Sequence, residues 1–315
     1  MNKPLLAVAC ALLGGSLCAQ STLFVSPTGS DDGSSWTSSS SLKDALHRAK
    51  PGDQVWLTQG TYPTSNDGNR DVYFDIPEGV RLLGGFAGRE KNASGRNPRD
   101  NKTILTGEIG KKERSDNAYT VVRIADATAS TTLDGLTITG AYANGHGPTA
   151  DPRRAGGGVL VKVTNPKASS QPTLINCNIV GNYARDGGGV YVDGQAGKAK
   201  PSFVNCTFEK NEADLDGGAI YNDGRRRGEA SPSFVDCTFD SNVANYGGAI
   251  FNQATKGKSS PKLSKCDFRQ NHAYVRGATL YNLAHQGENR PVLIDCVFEE
   301  LDQSKDDSSS VARGN

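Results

Sequence analysis

The stretch Pro-Ser-Phe-Val-Asn-Cys-Thr-Phe-Glu-Lys-Asn, Pro201 to Asn211, followed by Gly217-Gly218-Ala219-Ile220-Tyr221-Asn222, decides the fold because the chain repeats it. Edited copies start at Pro172, Pro232, Pro261 and, truncated, Pro291. The cysteines they carry, Cys177, Cys206, Cys237, Cys266 and Cys296, stand 29, 31, 29 and 30 residues apart. A fixed period in this range marks a stacked repeat array.

Aligned on the cysteines, the copies show which positions face inward. Three residues earlier stand Leu174, Phe203, Phe234, Leu263 and Leu293, and two later stand Ile179, Phe208, Phe239, Phe268 and Phe298. The residues flanking each cysteine are mostly Asn, Thr, Asp or Lys, and this alternation is that of a strand, not a helix. The extra residue before each cysteine predicts a bend or bulge near Asn176, Asn205 and Asp236. Five residues after the first four cysteines come Asn182, Asn211, Asn242 and Asn271. Asparagine tolerates left-handed backbone, and its amide can bond its own turn and the next, so a column of them would satisfy the corners. The pairs Gly187-Gly188, Gly217-Gly218 and Gly247-Gly248, with Gly277 alone, mark tight turns or close backbone approach. Val190, Ile220, Ile250 and Leu280 recur every 30 residues, each followed by Tyr191, Tyr221, Phe251 or Tyr281. Neighbours on one strand point to opposite faces, so the aliphatic column is read as core and the aromatic column as lying on or near the surface.

The copies are too short for propeller blades and contain no long helical segment. What remains is an all-β fold, a right-handed parallel β-helix whose coils stack at about 4.8 Å, with the handedness of parallel crossovers. Upstream, Leu133 to Gly140 overlays Leu174 to Gly181 with Leu136 in the cysteine slot, and Gly156-Gly157-Gly158-Val159 overlays Gly187 to Val190. The insertion from Ala143 to Arg154 is read as a surface loop. Ser41 to Ala49 reads as a short amphipathic helix, with Leu42, Ala45, Leu46 and Ala49 on one face and Pro51-Gly52 as the stop. It is expected to cap the N-terminal end of the core, where an open edge invites aggregation.

The expected organisation is a signal peptide over 1–19, a cap with irregular first coils over 20–125, repeats over 126–300 and a disordered polar tail over 301–315. Lys3, the apolar run from Leu5 to Leu13 and the small Ala19 support a secretory signal, which would remove Cys10 and Cys18. The alternative is a lipoprotein signal with Cys18 acylated, against which Leu17 stands where a small residue is wanted. No other apolar run is long enough for a membrane helix. The expected location is therefore exported: cell surface, outer membrane or extracellular. With 37 Gly, 22% charged residues and a net charge of +1, the chain is turn-rich and offers nucleic acid no bulk attraction.

The repeats resemble those of the chlamydial polymorphic outer membrane proteins, marked by Gly-Gly-Ala-Ile and Phe-x-x-Asn tetrads. The first occurs at Gly217 to Ile220 and Gly247 to Ile250, the second at Phe208 to Asn211, Phe239 to Asn242 and Phe268 to Asn271. The resemblance covers roughly residues 130–300 and implies a surface-exposed β-helical passenger, although the membrane barrel of that plan is not expected in this chain. Lys50-Pro51-Gly52-Asp53-Gln54-Val55-Trp56 with Gly60-Thr61-Tyr62 looks like the N-terminal cap of pectate-lyase-like β-helix proteins.

Several columns carry candidate chemistry. The cysteines are read as buried free thiols, because no Cys or His pair has metal-ligand spacing and side-by-side coils suit disulfides poorly. Bridged pairs are the alternative that an oxidising compartment favours. The column Tyr191, Tyr221, Phe251 and Tyr281 is either a platform for sugar rings or a ladder that only binds coil to coil. Lys198, Lys200, Arg225, Arg226, Arg227, Lys256 and Lys258, with His285 and Arg290, would align into one basic edge for an anionic glycan, lipopolysaccharide or host sulfated sugar. The same cations would also serve as solvated tips that discourage edge pairing. Asp186 falls with Asp216, and Asp193 with Asp223; stacked carboxylates repel unless a cation intervenes, so Asp186 and Asp216 are the calcium candidates, and no other cofactor is called for. The outward pairs Glu209-Lys210, Asp240-Ser241 and Arg269-Gln270 repeat no catalytic grouping, and no catalytic residue is assigned. The reading is an exported β-helix protein that binds glycan or mediates adhesion without catalysis. A polysaccharide lyase or hydrolase acting on acidic glycans is the alternative; so is a structural module whose C-terminal coil stacks end to end on a partner.

Overall fold

Strands of two to six residues bury too little to stand alone, and each finds its partner in the coil above or below. The computed structural model describes residues 20–110, 113–166, 168–195 and 197–299. The expected signal peptide and the polar tail lie outside the described residues. Among these residues the strands form sheets of nine, eight and seven strands and two smaller ladders of five and three. One coil runs through Thr173–Ile175 on the first face, Asn178–Val180 on the second, Tyr183–Asp186 in the five-stranded ladder and Val190–Asp193 on the third face. Lys198–Ala199, in the three-stranded ladder, leads back to the first face at Ser202–Val204.

Pairing is parallel and keeps the columns in register: Leu174 lies beside Phe203, Ile179 beside Phe208 and Val190 beside Ile220. The upstream coils share that register, with Leu133 beside Leu174 and Val159 beside Val190. The protein is a right-handed parallel β-helix. The helix Leu42–Arg48 starts where the Ser41 side chain accepts from the backbone N–H of Asp44, and it buries Leu42, Ala45 and Leu46 against the first coils.

The core is filled by stacked rings and thiols. Phe208, Phe239, Phe268 and Phe298 stack with centroids 4.7, 4.8 and 5.2 Å apart, and Phe203 lies 5.0 Å from Phe234. Cys177, Cys206, Cys237 and Cys266 are unpaired and buried, while Cys296 is only partly covered. The Cys206 thiol donates to the carbonyl of Leu174 at 3.4 Å, and burial pushes its pKa up, so it stays protonated.

The corners refine two expectations. Asn176, Asn205 and Asp236 adopt φ of 52°, 51° and 52°, giving the expected bend. No bulge is involved, because the strands on either side belong to different sheets. At the asparagine corner the left-handed residue is the preceding one, Gly181, Lys210, Ser241 or Gln270, and not the asparagine itself. That backbone turn points the asparagine side chain into the stack. Asn211 Nδ2 donates to the carbonyl of Ile179 at 2.8 Å and to Asn242 Oδ1 at 3.1 Å, and its Oδ1 accepts from the backbone N–H of Asn182 at 3.2 Å. The next turn is made by Gly187, at φ 63°, and a Cβ on Gly188 would lie 2.2 Å from the carbonyl oxygen of Glu212.

Replacing Asn211 by Ala leaves buried donors and acceptors unmatched in three coils and is expected to cost about 3 kcal/mol or more in chemical denaturation. Asn245→Ala, which removes one exposed bond to the Asp214 carbonyl, is expected to cost under about 1 kcal/mol.

Candidate functional site

On the third face, alternation sends Val190 and Val192 inward and Tyr191 outward, yet the outward rings are not at the surface. Tyr191, Tyr221 and Phe251 are buried in a second small core with Leu160, Ala150 and Ala155, and only Tyr281 at the end is partly exposed. The rings stack at 4.8, 4.9 and 5.5 Å. This corrects the sequence expectation that the column lies on or near the surface; of its two readings the ladder fits, since a buried ring offers no face to a sugar. Two segments cover the column. Tyr246, at the end of the strand Val243–Tyr246 of the five-stranded ladder, packs against Tyr281 at 5.1 Å, and the insertion read as a plain surface loop contributes Ala150.

The cover brings carboxylates in from the rim. Asp223 is buried and accepts from Tyr191 Oη at 2.5 Å, Gln195 Nε2 at 2.7 Å and Arg225 Nε at 2.8 Å. Arg225, expected on the basic edge, is half-buried there, its charge held by the buried Asp223. Asp186 pairs with Arg154, and Asp193 lies 3.8 Å from Lys162. Asp216 stands in register with Asp186. Burial and the neighbouring Asp186 push Asp216 up to about 7, while burial with Asp223 nearby pushes Asp193 up to about 6. Burial also raises Asp186 despite Arg154. Among the described residues no group of three or more His, Cys, Asp or Glu is arranged to hold a metal ion. The calcium candidates Asp186 and Asp216 answer their repulsion differently: Asp186 takes an arginine, and Asp216 keeps its proton more readily.

The remaining cations meet on the loops that follow the third-face strands. Lys198, Arg226, Arg227 and Lys258 line one shallow cavity of about 550 Å³ with Gln195 and Glu229. Lys198 and Lys200 line an adjoining cavity of about 600 Å³. Arg226 and Arg227 sit at φ 59° and 67°, and the backbone N–H of Arg227 bonds the carbonyl of Lys256 in the next coil, stacking the tips. The tips nest closely, since a Cβ on Gly257 would lie 1.8 Å from the carbonyl oxygen of Gly224. The edge is not uniformly basic. Lys198, Glu229, Lys258 and Glu288 follow one another in register, and Lys200 pairs with Glu229 at 3.0 Å while Lys258 pairs with Glu288 at 3.3 Å. Among the described residues Lys198, Arg226, Arg227 and Lys256 have no carboxylate at ion-pair distance.

A second asparagine ladder lies inside the third face. Asn222 Nδ2 donates to Asn252 Oδ1 at 2.8 Å, and Asn252 Nδ2 to Asn282 Oδ1 at 2.8 Å. Sequence reading passed over it, although the 30-residue spacing of these residues was its signal.

With this geometry in hand, the family model described as "Protein of unknown function (DUF1565)" matches residues 25–187. The chain belongs to that family. Within this DUF1565 chain, the model of the Chlamydia polymorphic membrane protein repeat matches residues 205–223 and 236–253. No curated protein matches the sequence. Among solved structures, pectate lyase Pel9A is similar at 14% identity with a TM-score of 0.57, over 88% of this chain and 62% of the lyase. The chain thus spans less than two thirds of that enzyme's length. A pectin methylesterase from Aspergillus niger aligns at 13% identity and a TM-score of 0.46, over 93% of this chain and 90% of the esterase. At these identities the likeness to the lyase establishes the fold alone.

The raised carboxyl of Asp216 has a consequence for stability. The fold favours its neutral form, a contribution complete below its ordinary value of 3.8 and lost as pH rises toward about 7. Asp216→Asn is expected to stabilise the protein above pH 7 by about 2 kcal/mol, discounted for partial exposure. It should also flatten the fall in stability between those pH values, as measured by denaturant titration across pH.

Proposed function

We propose that this protein is an exported, surface-displayed β-helix module that binds an anionic glycan along the margin formed by Lys198, Arg226, Arg227 and Lys258, without transforming it. The observation that carries the reading is the convergence of these cations from three successive coils around one shallow cavity, with Arg226, Arg227 and Lys198 left unneutralised. Coils repeat at about 4.8 Å, so a polymer with regularly spaced carboxylates or sulfates meets a cation on each rung. Lys200 and Lys256 extend the row, while Glu229 and Glu288 break it into separate positive points that select a spaced polyanion over a uniform one. The match to the Chlamydia polymorphic membrane protein repeat supports display at an outer surface or export. The aromatic column takes no part in binding; it holds the covered layer together. In that layer Asp223 is spent on Arg225 and Tyr191 and Asp186 on Arg154, which leaves these two unavailable as acid or base.

The test is titration of the purified protein with sulfated and uronic-acid polysaccharides, read by calorimetry. Lys198→Ala, Arg226→Ala and Arg227→Ala combined are expected to lower affinity about tenfold or more and to reduce its salt dependence, with the melting temperature unchanged. Equal binding by the triple variant rejects the margin as the site, and release of unsaturated sugar ends rejects binding without catalysis.

A further inference from the structure

The charges along the ligand margin have a fixed spacing, because a backbone ladder holds them. In the three-stranded ladder and the bridges that continue it, Ser169, Lys198, Glu229, Lys258 and Glu288 follow one another in parallel register. Ser170, Ala199, Ala230 and Ser259, next in sequence to the first four, are fully buried, so alternation turns the column outward. Backbone bonds tie these turns coil to coil. The N–H of Glu229 donates to the carbonyl of Gly197 at 2.8 Å, that of Lys258 to Gly228 at 2.9 Å and that of Glu288 to Gly257 at 2.8 Å. Lys198, Glu229 and Lys258 line one cavity together. From Lys198 onward the column changes sign at every coil, and coils repeating at about 4.8 Å set its two lysines about 9.6 Å apart. The acids are clasped within it, Glu229 by Lys200 at 3.0 Å and Glu288 by Lys258 at 3.3 Å. An ammonium has three donors, so Lys258 can hold Glu288 and still donate to a ligand.

Resting on the glycan reading of this margin, we propose that its ligand is an alternating polysaccharide with one carboxylate per disaccharide. The chain lies along the stacking axis, with its carboxylates on Lys198 and Lys258 and the uncharged sugar between them over Glu229. A pyranose unit lengthens a polysaccharide by roughly the spacing of one coil, so a disaccharide spans the interval between the two lysines. Glu229 offers acceptor oxygens, which the uncharged sugar satisfies with a hydroxyl or an amide N–H. A polymer of a single uronic acid carries a charge on every sugar. It sets every second carboxylate against Glu229, whose Lys200 is already spent on that acid. The repulsive contact is what the wrong polymer cannot avoid, and it supplies the discrimination. Arg226 and Arg227 stand off this column, beyond Gly228 at the loop tip, where the N–H of Arg227 bonds the carbonyl of Lys256. They strengthen attraction for any anion and leave the choice of spacing to the ladder.

Calorimetric titration of the full chain at low salt tests the proposal, with hyaluronan oligosaccharides against oligogalacturonate of equal length. The first carries one carboxylate per disaccharide and the second one per sugar. Hyaluronan is expected to bind about tenfold more tightly. Glu229→Gln keeps an acceptor and removes the charge, and it should cut this preference to about threefold or less. Glu288→Gln, at a more exposed position, should narrow the preference in the same direction and serves if the first variant is unstable. Equal or tighter binding of oligogalacturonate, still lost when Lys198, Arg226 and Arg227 are replaced together, overturns the spacing and leaves the margin standing. A preference that neither glutamine variant alters overturns it as well. Failure of both polymers to bind removes the glycan reading of the margin, and this proposal with it.

Discussion

The parallel backbone ladder from coil to coil is the constraint on which everything else in this protein depends. Once the N–H and C=O groups of one coil pair with the next at about 4.8 Å, each side chain is forced beside its counterpart one period later. Rows of like residues then become the unit of stability. Stacked phenylalanines gain from this and need only ring-to-ring contact. Buried asparagines gain more, because each amide donates to one coil and accepts from the other, so the ladder satisfies corners that would otherwise carry unmatched polar groups. Carboxylates lose by it, and the molecule answers with arginine partners or with a retained proton.

The same constraint separates the interior from a variable margin. Three faces and the glycine-tight turn between them vary little from coil to coil, while the connection leading back to the first face varies in length and charge. Cations accumulate there because residues on the tips contribute nothing to the core and meet no steric demand from neighbouring coils. The fold therefore supplies a rigid spacing, and the loops supply the chemistry placed on it.

An array built this way has ends, and the ends differ. The N-terminal coil is closed by an amphipathic helix whose apolar stripe takes the place of a missing coil. Among the described residues, the last coil carries the same columns with Leu293 and Phe298 exposed.

The sequence by itself determined the period, the strand character of each copy, the inward columns of Leu, Phe, Cys and Asn, and the capping helix, because these follow from spacing and side-chain chemistry within one coil and its neighbour. It also showed the basic residues as a row. What only the tertiary structure decided is which outward residues remain outward. Tyr191, Tyr221 and Phe251 alternate correctly for exposure but are roofed by Ala150 and Tyr246, which come from other parts of the coil or from an insertion. Arg225 has the same neighbours in sequence as Arg226 and Arg227, yet turns in to meet Asp223, while they face the groove. A repeat period specifies what stacks above and below a residue; it carries no information about what folds across it from the side.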